Sequence, residues 1–275
     1  MSQEHTTAAP VCYRHPDRHT LLRCSRCERP ICAACSIDAS VGQRCPECVR
    51  QEGTQKVIPK QRVMSRAGGA VATKAFIAIA AVFFVLTGFG RNLNGPIGEL
   101  FAQVNLWVEQ GELWRLFTPV LLHASITHIL FNMWALWVLG PQIERGVGTW
   151  PFVGAYLASA ATGGAFMFVM GGLDAPAAVG ASGAIFGLFG IWANWAVRRR
   201  NTMHGQALLR QIGFLLLLNA ALPFIIRGIA WEAHLGGLIA GFVIGELWSR
   251  ARNETARVAV TVAIAGLAVA AVLVL

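Results

Sequence analysis

Ser182 and His234 are the two residues of this chain whose pairing could break a bond. A hydroxyl becomes a strong nucleophile when a neutral imidazole within hydrogen-bond reach takes its proton, and the same imidazole can hand that proton to a leaving amine. Each sits in glycine-rich, apolar surroundings: Gly180-Ala181-Ser182-Gly183 and Ala233-His234-Leu235-Gly236-Gly237. A third polar stretch, Leu122 to Asn132, holds His128 and Asn132 four residues apart, so the two share one helix face. Their side chains can donate to a developing oxyanion, where one donor is typically worth about 3 kcal/mol. No carboxylate is placed to complete a triad, because Glu232 is two residues from His234 and falls on another face. A dyad is the expectation. Singly, each group has a plainer explanation, since a serine between glycines serves close helix packing and a buried histidine serves a helix-to-helix hydrogen bond.

The elements that must position these groups follow from composition. Of 275 residues 55% are apolar and 13% charged, about half the usual charged share, which excludes a soluble globule, a disordered chain and a secreted disulfide scaffold. All seven cysteines lie between Cys12 and Cys48, and most of the apolar residues lie after position 74. The expected architecture is an all-α polytopic membrane protein, a bundle of seven transmembrane helices (six plus one) with a small N-terminal zinc-binding domain. Its parts are a head at 1–50, a basic linker at 51–73 and a membrane domain at 74–275. Stretches able to cross a hydrocarbon layer of about 30 Å fall near 75–90, 117–139, 151–171, 181–197, 208–226, 233–249 and 257–275. The connection 91–116, with Trp107, Trp114 and Arg115, is expected to lie at the interface. Linker residues Lys56, Lys60, Arg62 and Arg66 suit an anionic leaflet.

Positive charge sets the orientation. With the N-terminus in the cytoplasm, Arg145, Arg198, Arg199, Arg200, Arg210, Arg250, Arg252 and Arg257 fall inside, and only Arg91, Arg115 and Arg227 outside. The simplest placement is the plasma membrane with the head in the cytosol. Depth then becomes computable. At 1.5 Å per residue Ser182 lies roughly 22 Å above Val197, and His234 roughly 21 Å above Trp248. His128 lies roughly 18 to 24 Å above the stretch 140–144. Three polar groups on three parallel spans share one level. Glycines at 183 and 187 and at 237, 241 and 245 give small-xxx-small faces that let the fourth and sixth spans approach.

In the head, Cys12-x2-His15, Cys24-x2-Cys27, Cys32-x2-Cys35 and Cys45-x2-Cys48 use every cysteine. Eight ligands make two closed tetrahedral sites, so the expected cofactors are two structural zinc ions that fold the head and take no part in catalysis. An odd cysteine count and a reducing compartment argue against disulfides. His19 is read as a solvent-facing histidine. The order resembles the B-box class of zinc modules, which implies cross-bracing: Cys12, His15, Cys32 and Cys35 on one ion, Cys24, Cys27, Cys45 and Cys48 on the other. Spacing alone leaves sequential pairing open. Basic residues surround the head without an aromatic stacking pattern, so a cytoplasmic protein partner is expected rather than nucleic acid.

Trp114-Arg115, the run His123 to Asn132, Gly180-Ala181-Ser182-Gly183 and Ala233-His234-Leu235-Gly236-Gly237 together resemble the rhomboid family of intramembrane serine proteases over roughly 75–250. The resemblance implies Ser182 as nucleophile and His234 as base, with His128, Asn132 and the Ser182 N–H as the oxyanion hole. It implies transmembrane protein substrates, cut in or beside the membrane through an acyl-enzyme. Phe186 stands where bacterial relatives often carry a tyrosine stacked on the imidazole. The seventh span is expected to serve bundle packing. The alternative from another class is a non-catalytic relative that binds client transmembrane helices. A transporter would show charged paths and inverted repeats, and a zinc protease H-E-x-x-H; neither is present.

Overall fold

The computed structural model describes residues 9–39, 42–51, 69–225 and 228–274. The chain divides into two compact units, Met1–Val63 and Met64–Leu275. The linker lysines and arginines from Lys56 to Arg66, and Arg227, lie outside the described residues.

The head is built from very short elements. β1 (Val11–Cys12) pairs antiparallel with β2 (His15–His19), β3 (Ile37–Asp38) with β4 (Gln43–Arg44), and Ala33–Cys35 forms a 3₁₀ turn before α1 (Pro46–Gln51). Its buried interior is Ile31 and six cysteines, with Tyr13 and Cys27 packed beside them. That is too little apolar surface to hold a fold of this size by itself.

The body is helical: α2 (Val71–Leu86), the short α3 (Pro96–Phe101) and α4 (Asn105–Glu109), then α5 (Ile126–Val147), α6 (Thr149–Gly171), α7 (Ser182–Arg198), α8 (Met203–Ile225), α9 (Trp231–Trp248) and α10 (Glu254–Val274). Two of these, α6 and α10, are by length and hydropathy alone able to cross a membrane, with α2 a shorter apolar helix. The stretch 91–116 carries α3, α4 and a 3₁₀ turn at Leu113–Leu116. Arg115 ties it together, reaching the carbonyls of Glu99 and Ala102 and the Glu112 carboxylate while stacking on Trp107.

One expected span is corrected. Residues 117–139 are not a single helix: 118–121 form a 3₁₀ turn, and α5 starts at Ile126 because the Ser125 hydroxyl caps the His128 N–H at 3.2 Å. The helix then continues to Val147 through Pro141. Smaller shifts have the same cause. Thr202 caps the Gly205 N–H, so α8 begins at Met203, and Asn253 caps the Ala256 N–H, so α10 begins at Glu254.

Glu144, 3% exposed, explains why α5 runs past the expected boundary. Its carboxylate accepts the N–H groups of Ala72 and Thr73 at 2.9 Å each and the hydroxyls of Thr73 and Thr149 at 2.7 and 3.0 Å. A buried charge is tolerable there because it sits on the positive end of α2 with four donors. Glu144→Ala strands those donors and should cost about 3 kcal/mol. Thermal unfolding in detergent is the measurement, and Glu144→Gln, which keeps one acceptor oxygen, should fall between the two.

The tightest packing joins α7 to α9. A methyl on Gly237 would collide with the Gly183 carbonyl, one on Gly241 with the Gly187 carbonyl, and one on Gly190 with the Leu238 carbonyl. Backbone meets backbone along three turns, so only glycine fits. Across the other side of α7, Gly187 faces Ser159 of the alanine-rich α6.

Candidate functional site

That contact sets the site. Ser182 is the first residue of α7, and His234 lies in the first turn of α9. With the two helices touching, Ser182 Oγ lies 2.8 Å from His234 Nε2. Both side chains are half-buried. Phe186, one turn along α7, stacks face to face on the imidazole, with centroids 4.3 Å apart and planes 4° from parallel. The ring orientation is therefore fixed by packing. Glu232 makes no hydrogen bond to His234, and no carboxylate does so among the described residues.

The first α7 bond runs from the Ile185 N–H to the Ala181 carbonyl, leaving the N–H groups of Ser182 and its two successors outside the ladder at the positive helix end. His128 comes to the same place from α5. A methyl built on Gly180 would lie 2.6 Å from His128 Nε2 and 3.8 Å from Ser182 Oγ, so both side chains border one small space. Gly180 itself, at φ +126°, donates its N–H to the Pro119 carbonyl. Residue 178 is stitched to Gln103 by two backbone bonds. Gln103 and Asn105 in turn hold the carbonyls of Gly164, Met167 and Gly172. Asn132 is buried, and its amide donates to the His128 carbonyl at 2.9 Å rather than to Ser182. One of its two N–H bonds is thus spent on its own helix. Gly180→Ala should fill the shared space and strain the turn, slowing serine-probe labelling by about 100-fold or more. The rate constant for modification of intact, monodisperse protein is the readout.

Sequence reasoning quoted His123 without giving it a part. It is fully buried, neither ring nitrogen has a partner, and it packs edge-on against His128 at 5.1 Å. The anchoring amides Gln103 and Asn105 were missed as well. No sequence signal singles them out, because the connection 91–116 carries five carboxamides and several charged residues.

In the head, the donor atoms of Cys12, His15, Cys32 and Cys35 lie within 4.8 Å of one another, and so do those of Cys24, Cys27, Cys45 and Cys48. The fold brings together the interleaved pairs, not the sequential ones. A tetrahedral ion with bonds of about 2.3 Å to sulfur needs donor separations of about 3.8 Å. Cys27 and Cys45 stand 3.8 Å apart, and His15 Nδ1 stands 3.8, 3.4 and 3.3 Å from Cys12, Cys32 and Cys35. Burial and the neighbouring thiols push Cys35 up to about 11 and Cys48 up to about 12. At Cys12 burial is outweighed by the N–H groups of Arg14 and Cys32 and by His15, which bring it to about 6. These groups could hold metal ions. His19 stands outside both clusters, bonded to the Ala9 carbonyl.

The rhomboid domain matches residues 110–251, just over half of the chain. Over 176 residues the chain is 37% identical to the rhomboid protease GluP of Bacillus subtilis (strain 168), covering 62% of this chain and 33% of that protein. It is 43% identical over 143 residues to the putative rhomboid protease YdcA of the same organism, covering 52% and 71%. With the rhomboid protease GlpG of Haemophilus influenzae it shares 31% over 152 residues, covering 54% and 76%. The chain thus spans a third of the first of these relatives and about three quarters of the third.

Proposed function

The chain belongs to the rhomboid family of membrane proteins, and from that premise we propose that it is an intramembrane serine endopeptidase acting on transmembrane proteins through Ser182 and His234. The observation that carries this reading is the 2.8 Å bond between Oγ and Nε2, held by a stacked Phe186 at two touching helix ends.

In the first half-reaction Ser182 Oγ attacks the peptide carbonyl carbon while His234 Nε2 takes its proton. The oxyanion that forms lies at the start of α7, where the Ser182 N–H and the side chains of His128 and Asn132 can stabilise it. The C–N bond then breaks, His234 protonates the leaving amine, and an acyl-enzyme remains. Water attacks the ester with His234 as base, the carboxylate product leaves, and the proton returns to Ser182. The acyl-enzyme step needs no acidic partner if packing alone orients the imidazole, and the Phe186 stack supplies that orientation.

The body is read as seven spans, six plus one, in the plasma membrane, with the head in the cytoplasm, an orientation that the arginine count supports. In the head Cys12, His15, Cys32 and Cys35 would hold one zinc ion, and Cys24, Cys27, Cys45 and Cys48 the other. The donor separations fit, and all four positions of each site are filled, so the metal would stabilise the fold and offer no place for substrate. The head is then free to bind a cytoplasmic protein partner.

The test is an active-site-directed serine reagent applied to the parent, Ser182→Ala and His234→Ala. Labelling of the parent alone is expected. Equal labelling of all three would sink the enzyme and leave a client-binding relative.

A further inference from the structure

Arg198 at the end of α7 and Arg250 after α9 pair with a carboxylate, whereas three arginines at the neighbouring turns form no ion pair. Arg198 and Arg250 each meet Glu246 at 3.0 Å. Among the described residues Arg145, Arg252 and Arg257 form no ion pair. Arg145 follows Glu144 near the end of α5, Arg252 lies in the α9–α10 turn, and Arg257 is in the first turn of α10. All three line one cavity of about 400 Å³, together with Thr149 and Asn253. The two carboxylates in its wall leave the lining a net charge of +1 and form no ion pair with the arginines. Glu144 is fully engaged by α2 and Thr149, and Glu254 points its oxygen at Gly148.

Arg257 is the fixed member. Its NH1 donates to the Val147 carbonyl at 3.2 Å, its own carbonyl accepts the Trp248 indole N–H at 3.0 Å, and its Nε is buried with no acceptor. An unpaired buried guanidinium N–H wants an anionic oxygen. Both α6 and α10 begin at this cavity, adding their positive ends to three positive side chains. A second cavity of about 240 Å³ shares Gly146, Val147 and Arg257 with the first and is bordered by Trp195 and Trp248. A cavity of net positive charge therefore adjoins one bordered by two tryptophans, the pairing a headgroup and its glycerol end would use.

We propose that the cavity between the α5–α6 and α9–α10 turns is a phosphate-binding site, taking the headgroup of an anionic phospholipid with its glycerol end beside the two tryptophans. The site is distinct from Ser182 and His234, and its occupancy does not depend on whether those residues catalyse. A bound headgroup would clamp the tenth helix to the α5–α6 turn.

The experiment uses the full chain in neutral detergent, titrated with phosphatidylglycerol, phosphatidylcholine and inorganic phosphate and followed by native mass spectrometry. Arg145→Gln/Arg252→Gln is the variant, because both side chains are solvent-accessible and unpartnered. Circular dichroism and monodisperse elution check its fold, and Arg257→Gln is read as a second variant. One phosphatidylglycerol per chain is expected on the parent, with phosphatidylcholine weaker. The double variant should bind about 25-fold more weakly, fivefold for each arginine. Displacement of the lipid by inorganic phosphate identifies the headgroup as the bound part. Phosphate binding that the double variant loses, without lipid binding, makes the natural ligand a soluble phosphate and keeps the site. Equal affinity of parent and double variant for both ligands overturns the proposal.

Discussion

Ser182→Ala, His234→Ala and the double variant are expected to lose cleavage of a reconstituted transmembrane substrate to one common floor, at least about 10⁴-fold below the parent. The reason is that the two groups act as one device across the 2.8 Å contact. Without the imidazole, the hydroxyl keeps its proton and is a poor nucleophile; without the hydroxyl, the imidazole has nothing to activate. The second substitution should therefore add almost nothing to the first, a non-additivity that a merely structural role would not produce. Initial rates in proteoliposomes give the comparison. Double-variant activity falling by the product of the two single effects would show the residues working separately, and the dyad would have to be abandoned.

Stripping metal from the head should unfold that unit. Structural zinc contributes on the order of 10 to 16 kcal/mol per site near neutral pH in small modules, and here the buried interior is almost wholly the residues proposed to hold it. The full chain should carry two zinc ions, and Cys45→Ser one or none. A strong chelator should render the head protease-sensitive while Ser182 labelling persists, because every residue of that site lies in Met64–Leu275. The pH dependence has a definite sign. Cys35, raised to about 11, and Cys48, raised to about 12, hold their protons at neutral pH. Metal must displace them, so apparent affinity should rise with pH and fall in acid. Elemental analysis and limited proteolysis across a pH series measure both effects.

What could be read from the chain beforehand follows from which physical regularities are rigid. The helical rise is fixed, so Ser182 and His234 could be set at one depth by counting back from Arg198 and Arg250. The spacing of Gly183 and Gly187 against Gly237 and Gly241 announced a close crossing, because small residues at that interval have few other uses. The cysteine pairs were legible for the same reason, although spacing left their interleaving open and only the B-box resemblance implied it. Hydropathy failed at 117–139, where it registers apolar content but not the Ser125 cap that starts α5. It failed again at Glu144, a charge that reads as a boundary and is in fact buried under the end of α2. Asn132 shows a third limit. Its position on the His128 face was predictable, but the bond it makes to its own helix was not.

The glycine-lined crossing of α7 and α9 has one more consequence. Where carbonyl oxygens press directly on opposing Cα atoms, there is no compressible layer of side chains to absorb sliding or rolling. The hydroxyl and the imidazole therefore ride on what amounts to a single welded strut, permanently aligned. If the chain is the protease proposed above, control over turnover would come from rationing what reaches that strut, whether polypeptide or solvent, because the strut itself has no slack to switch.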